Sequence, residues 1–146
     1  MNPKIVTGSV VTRGDLILLC KRAIEPRKGY WTLPAGFMEE GESVEEGAMR
    51  EAREEACAEI AIDGLLAVYS VPRIAQVQIM FRARLLSDIA AGPESEEVML
   101  VPWRDIPWSQ LAFPTVVWAL THFTETRNKP AFAPFANPPG TDKLTR

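Results

Sequence analysis

The sequence predicts a single α/β domain built on a mixed β-sheet. Two observations carry that expectation. Short runs of β-branched and apolar residues alternate with two helical segments, in the order strands, helix, strands, helix. The chain has 146 residues, about one domain's worth on a prior of roughly 100–200. A domain over residues 1–128 is expected, followed by a proline-rich tail, 129–146, packed on the domain or on a partner subunit.

Residues 5–11 are rich in β-branched side chains and residues 16–20 are apolar, with Arg13-Gly14-Asp15 between them, so the pair reads as a β-hairpin. Residues 23–29, with Pro26 and Gly29, read as an exposed loop. Trp31-Thr32-Leu33-Pro34 follows as a short strand stopped by proline.

A helix begins at Ser43. Ser43 and Glu46 form a capping-box pattern, and good helix formers run to about Ala56. Ala48, Met49, Ala52 and Ala56 give a stripe of mostly small apolar residues that lets the helix sit close to a sheet.

Residues 65–71 and 76–86 read as strands around a Pro72 loop, and residues 97–101 as another. Residues 114–126 read as a helix with Pro114 in its first turn. The apolar run 111–120 would bury either a homodimer contact or core. Four prolines in the last twenty residues argue against regular structure there, while Phe132 and Phe135 suggest that part of the tail packs.

Composition narrows the chemistry. Hydrophobic residues make up 47% and charged residues 24%, as in an ordinary globular protein. The net charge of −3 argues against general nucleic-acid binding. One histidine, His122, makes a Ser-His-Asp site or a His-rich metal centre a poor expectation. Two cysteines cannot build a four-cysteine zinc site. No secretory or membrane-spanning segment is evident, so the cytoplasm is the expected location.

The predicted first helix carries the chemistry. At about 100° per residue, Glu54 lies about 60° to one side of Glu51 and Glu55 about 40° to the other. Three carboxylates on one face repel unless a cation sits among them, and an oxygen-rich set suits Mg²⁺ or Mn²⁺. An arbitrary run of glutamates is more often a solvated face. Here Gly36 and Gly41 flank a bend that can return Glu42 to the helix, and Arg50 lies one turn before Glu54.

With Gly36, Glu42, Arg50, Glu51, Ala52, Glu54, Glu55 and Ala58 at these spacings, the segment resembles the Nudix box, G-x5-E-x7-R-E-U-x-E-E-x-G-U with U apolar. Cys57 stands where the family has glycine. Residues 29–37, 76–85, 92–97 and 105–107 are similar to a Nudix branch active on ADP-ribose and FAD, here without that branch's zinc ribbon.

The resemblance implies a Nudix fold, a mixed sheet sandwiched between helices. It also implies a pyrophosphatase, a hydrolase splitting a nucleoside diphosphate linked to a group X into a nucleoside monophosphate and phosphorylated X. Glu51, Glu54 and Glu55 would hold the metal, and Arg50 would orient them. Glu42 would be a further ligand or a partner of Arg50. The general base would come from the box or from a later loop, with Glu97 and Glu96 as loop candidates. Arg22, Arg27, Gly36 and Glu42 are the expected substrate contacts. Trp31, Tyr69, Trp103, Trp108 and Phe113 are candidates to stack a ring, although each aromatic is more often core. A housecleaning nucleoside triphosphate pyrophosphohydrolase and a non-catalytic ADP-ribose sensor are the alternatives.

Overall fold

The computed structural model describes residues 2–141. Seven strands and two helices follow in order: β1 (Lys4–Arg13), β2 (Leu16–Arg22), β3 (Trp31–Thr32), β4 (Ala35–Phe37), α1 (Val44–Ala56), β5 (Ile60–Val71), β6 (Gln76–Leu85), β7 (Ser95–Pro102) and α2 (Pro114–Thr126). Short 3₁₀ turns occupy Pro72–Ile74, Trp103–Asp105 and Trp108–Gln110.

The sheet is mixed. Its main order is β3-β2-β1-β6-β5, with β4 also paired to β1 and β7 to β2. β1 runs parallel to β6 from Lys4↔Gln76 to Thr12↔Arg84, while the other pairings are antiparallel. Alternation along the strands divides the core between two faces. Val10, Ile17 and Leu19 face α2 with Leu66, Tyr69 and Leu120. Val11, Leu18 and Cys20 face α1 through Ala52 and Ala56. Helices therefore cover both faces, as in the expected sandwich.

The capping box forms at α1: Ser43 Oγ accepts from the Glu46 amide at 3.1 Å, and Glu46 accepts from the Ser43 amide at 2.9 Å. The helix ends with Cys57 in the left-handed region, φ 53°. The Cys57 and Ala58 amides close back on Arg53 and Ala52, satisfying terminal carbonyls. Cysteine thus keeps the backbone that glycine would adopt more cheaply.

Three expectations are corrected in extent. β5 begins at Ile60 rather than residue 65, because bulges at Ile62/Gly64 and Leu65/Ala67 absorb the Asp63-Gly64 break. β7 begins at Ser95, where it pairs with Arg22. Ala35–Phe37 forms an additional strand, held by pairing with Val6, Thr7 and Gly8. The run 111–120 packs inside the chain: Leu111, Ala112, Val116, Trp118, Ala119 and Leu120 are all buried.

The tail is tied to the outer edge of β5. Phe135 exchanges backbone hydrogen bonds with Leu66 and Val68, and Asn137 binds both backbone groups of Ser70 at 2.9 Å. Phe135 stacks on His122 with ring centres 4.3 Å apart, and Arg82 lies 4.7 Å from the Phe132 ring centre. Residues 142–146 of the expected tail lie outside the described residues.

Candidate active site

Arg50 organises the acidic face of α1. Its Nε donates to Glu42 at 2.6 Å, and its Nη1 donates to Glu51 at 3.0 Å and Glu54 at 2.9 Å. Its Nη2 donates to Glu42 at 3.1 Å and to the Phe37 carbonyl at 3.0 Å. A guanidinium has five N–H donors, so each finds an acceptor. Glu42 thereby returns from the turn to the helix. Hydrogen bonding from Arg50, reinforced by the Glu39 amide, holds its carboxyl below the usual glutamate range.

Glu51 and Glu55 are buried, whereas Glu54 is exposed. Burial pushes the Glu51 carboxyl up against the opposing pull of Arg50. Burial pushes Glu55 up to about 8, with the neighbouring charge of Glu51 adding to it. The Ala35 amide donates to Glu55 at 2.9 Å and partly offsets that effect. Two carboxyls are therefore held side by side where burial opposes their ionisation, with the Arg50 guanidinium offsetting part of that for Glu51.

Gly36 leaves room for them. A Cβ built there would lie 2.4 Å from the Glu51 carboxyl, so any side chain would displace that group. A hard, oxygen-only donor set of neighbouring carboxyls fits a hard divalent cation. In the arrangement seen, Arg50 and Ala35 hold these carboxylates, and among the described residues no three His, Cys, Asp or Glu side chains form a ready coordination cage. A cation held there would have to take the place of those partners.

Beside this cluster lies a cleft of about 260 Å³. Ala35, Gly36 and Phe37 form one side and Phe113 and Thr115, at the start of α2, another; among the described residues Arg22 is its one charged lining residue. Arg22 donates from Nε to the Pro26 carbonyl at 2.7 Å, its guanidinium carbon lies 5.2 Å from the Phe113 ring centre, and its charge is felt by Glu55.

The other expected residues stand elsewhere. Arg27 donates to the Ala112 carbonyl at 3.1 Å and lies 3.9 Å from the Tyr30 ring centre, outside the cleft lining. Glu97 is exposed on β7 opposite Lys21, and Glu96 pairs with Lys21 at 4.0 Å. The loop carboxylate felt by both Glu51 and Glu55 is Glu94, which the sequence reading did not single out. Gly92, where an added Cβ would lie 1.7 Å from the Glu54 carbonyl, lets that loop sit directly on the end of α1. The glycine two residues before Glu94 was the available signal. Among the aromatic candidates, Phe113 lines the cleft, Tyr69 is buried, and Trp103 and Trp108 pack edge to face.

The loop–helix box and the layered sheet together define a Nudix domain, and comparison with known proteins agrees. The NUDIX domain family model matches residues 2–123. An ADP-ribose pyrophosphatase of Methanocaldococcus jannaschii is 33% identical over 118 residues, 77% of this chain and 69% of that protein. An NAD-capped RNA hydrolase of Pseudomonas aeruginosa is 32% identical over 105 residues, 70% of this chain but only 36% of that longer protein. A crystal structure of a NUDIX hydrolase from Nitrosomonas europaea superposes with a TM-score of 0.88 at 46% identity, covering 94% of this chain and 80% of that one. The chain belongs to the Nudix hydrolase family. Enzymes of this family generally depend on a divalent metal.

Among the described residues, no helix is long and apolar enough to cross a membrane.

Proposed function

We propose that this enzyme hydrolyses the pyrophosphate bond of ADP-ribose, or of a related nucleoside diphosphate compound such as FAD. Water adds to one phosphorus and the bridging P–O bond breaks, leaving AMP and phosphorylated X. The observation that carries this reading is the pair of buried carboxylates, Glu51 and Glu55, bordering the cleft at Gly36 and Ala35. The relative named for ADP-ribose pyrophosphatase activity supports the substrate.

Glu51, Glu54 and Glu55 would hold the cation, Mg²⁺ or Mn²⁺, which when bound supplies charge neutralisation at the phosphate oxygens and acidifies water. The chain's own groups do the rest. Arg50 fixes the carboxylates against one another and ties them to the Glu42 turn. Burial of Glu51 and Glu55 strengthens their interaction with any cation. Glu94, on the loop beside them, is the better placed carboxylate to take the proton from the attacking water. Arg22 borders the cleft where a pyrophosphate oxygen would be met by a forked donor.

The test is a parallel hydrolysis assay with Mg²⁺ on ADP-ribose, FAD, NADH and 8-oxo-dGTP, with products separated chromatographically. AMP from ADP-ribose or FAD is the expected result. Pyrophosphate release from 8-oxo-dGTP alone would replace this reading with the housecleaning one. Binding of ADP-ribose without any product would favour a sensor.

A further inference from the structure

Two side-chain hydroxyls are fully buried with no hydrogen-bond partner among the described residues, those of Thr7 and Ser9. Both belong to β1, and with Val11 they share the strand face that α1 covers. Val11 packs there with Ala52 and Ala56, as a core position should. Thr7 stands at the other end of that face. A Cβ built at Gly47 would lie 2.6 Å from Thr7 Oγ1 and 3.3 Å from Glu42 Oε1, so the hydroxyl meets the helix where the Glu42 turn returns to it. A buried hydroxyl costs stability unless something accepts its proton, and valine would fill the same shape without that cost.

The acceptor next to Thr7 is the Glu51 carboxyl. Thr7 and Gly36 are direct partners in the antiparallel pairing of β1 with β4. Such partners project to one face, with Cβ positions about 4.5–5.5 Å apart. Gly36 has no side chain, and the Glu51 carboxyl occupies the place that one would take. A donor without a partner thus stands one ladder position from a buried acceptor, and glycines at 36 and 47 keep side chains out of the space around them. In the arrangement seen, Glu51 is engaged instead by Arg50 Nη1 at 3.0 Å.

We infer that Thr7 is a positioning residue for Glu51: its hydroxyl donates to the Glu51 carboxylate once a cation takes the place of Arg50 there. Metal ligands are commonly oriented by such outer hydrogen bonds, and their loss weakens the metal rather than the fold. The inference rests on the cation site proposed above and is independent of which nucleotide is hydrolysed.

The test is Mn²⁺ uptake by the full chain without nucleotide, followed through the electron paramagnetic resonance signal of the free ion. The melting temperature of the metal-free protein is measured alongside. Thr7→Val keeps the shape and removes the donor. It is expected to bind Mn²⁺ about tenfold more weakly. The metal-free variant should melt at the same temperature or higher, because the hydroxyl it loses has no partner there. Thr7→Ser, which keeps the donor, restores most of the affinity. Equal Mn²⁺ affinity in Thr7→Val and the natural chain overturns the inference and leaves the cation site standing. A loss that Thr7→Ser does not restore, with the melting temperature lowered in step, assigns Thr7 to packing and overturns it as well. Absence of Mn²⁺ uptake by the natural chain overturns the cation site itself, and the role of Thr7 with it.

Discussion

The Ala35 amide donates to the Glu55 carboxyl at 2.9 Å, joining one of the two buried carboxyls of α1 to the strand that borders the cleft. That bond stands in for part of the stabilisation a cation would give. The natural protein thus keeps a carboxylate where the metal-free fold is better without a charge. Glu55→Gln is expected to raise the melting temperature of the metal-free protein near neutral pH, because an amide of nearly the same shape avoids the cost of burying a carboxyl that the unfolded chain keeps ionised. The same variant loses most of the stabilisation that added Mg²⁺ gives the natural chain. Thermal denaturation with and without Mg²⁺ reads both effects.

Arg50 satisfies five acceptors, and lysine cannot reproduce that planar fork. Arg50→Lys is expected to lower turnover by about 10–100-fold, as loss of groups that orient metal ligands generally does. Normal turnover with an unchanged melting temperature would show that the cluster holds itself.

Gly36→Ala forces a methyl group against the Glu51 carboxyl, at 2.4 Å from it if nothing moves. Overpacking of this kind costs about 1–3 kcal/mol. The expected signature is loss of Mg²⁺ affinity larger than the loss of stability, read by titration and chemical denaturation on the same sample.

His122 gives the fold a pH dependence away from the active site. Its Nδ1 lies 2.6 Å from the Tyr69 hydroxyl, its ring stacks on Phe135, and burial pulls its pKa below 6.5 despite the opposing charge of Glu125. Below about pH 6.5 the unfolded chain takes up a proton that the folded chain resists. The contribution is therefore fully present above pH 6.5 and declines as pH falls through the folded pKa. His122→Gln should flatten the dependence of melting temperature between pH 7 and pH 5. An equally steep curve in that variant would assign the effect to other groups.

Cys57 is exposed and sits at φ 53° where glycine is easier. Cys57→Gly should leave turnover unchanged and alter stability only slightly, because the gain in backbone ease is offset by a more flexible unfolded chain. A large loss of turnover would give the thiol a role.

Helix α1 was legible because its cap, its alanine stripe and its carboxylate spacing are all local signals. β4 was not, since Ala35-Gly36-Phe37 has no strand character of its own and forms by pairing with Val6–Gly8 across the chain. The parallel pairing of β1 with β6 joins segments about seventy residues apart and leaves no local mark. The loop carboxylates were distinguishable only in three dimensions. A register shift at Lys21/Arg22 and the close seat of Gly92 on α1 leave Glu97 on the strand and put Glu94 by the buried pair. Arg27 carries the same chemistry for phosphate as Arg22, but only the fold shows that Arg22 lines the cleft and Arg27 stands outside that lining.

The most direct measurement is AMP formation from ADP-ribose by the natural chain and by Glu54→Gln, each with Mg²⁺ and with excess chelator. The account predicts AMP and ribose 5-phosphate only from the natural chain with metal, with the variant lower by on the order of 10²–10³ and still folded. Equal rates in the two proteins, or turnover that persists in chelator, would contradict a cation held on the acidic face of α1.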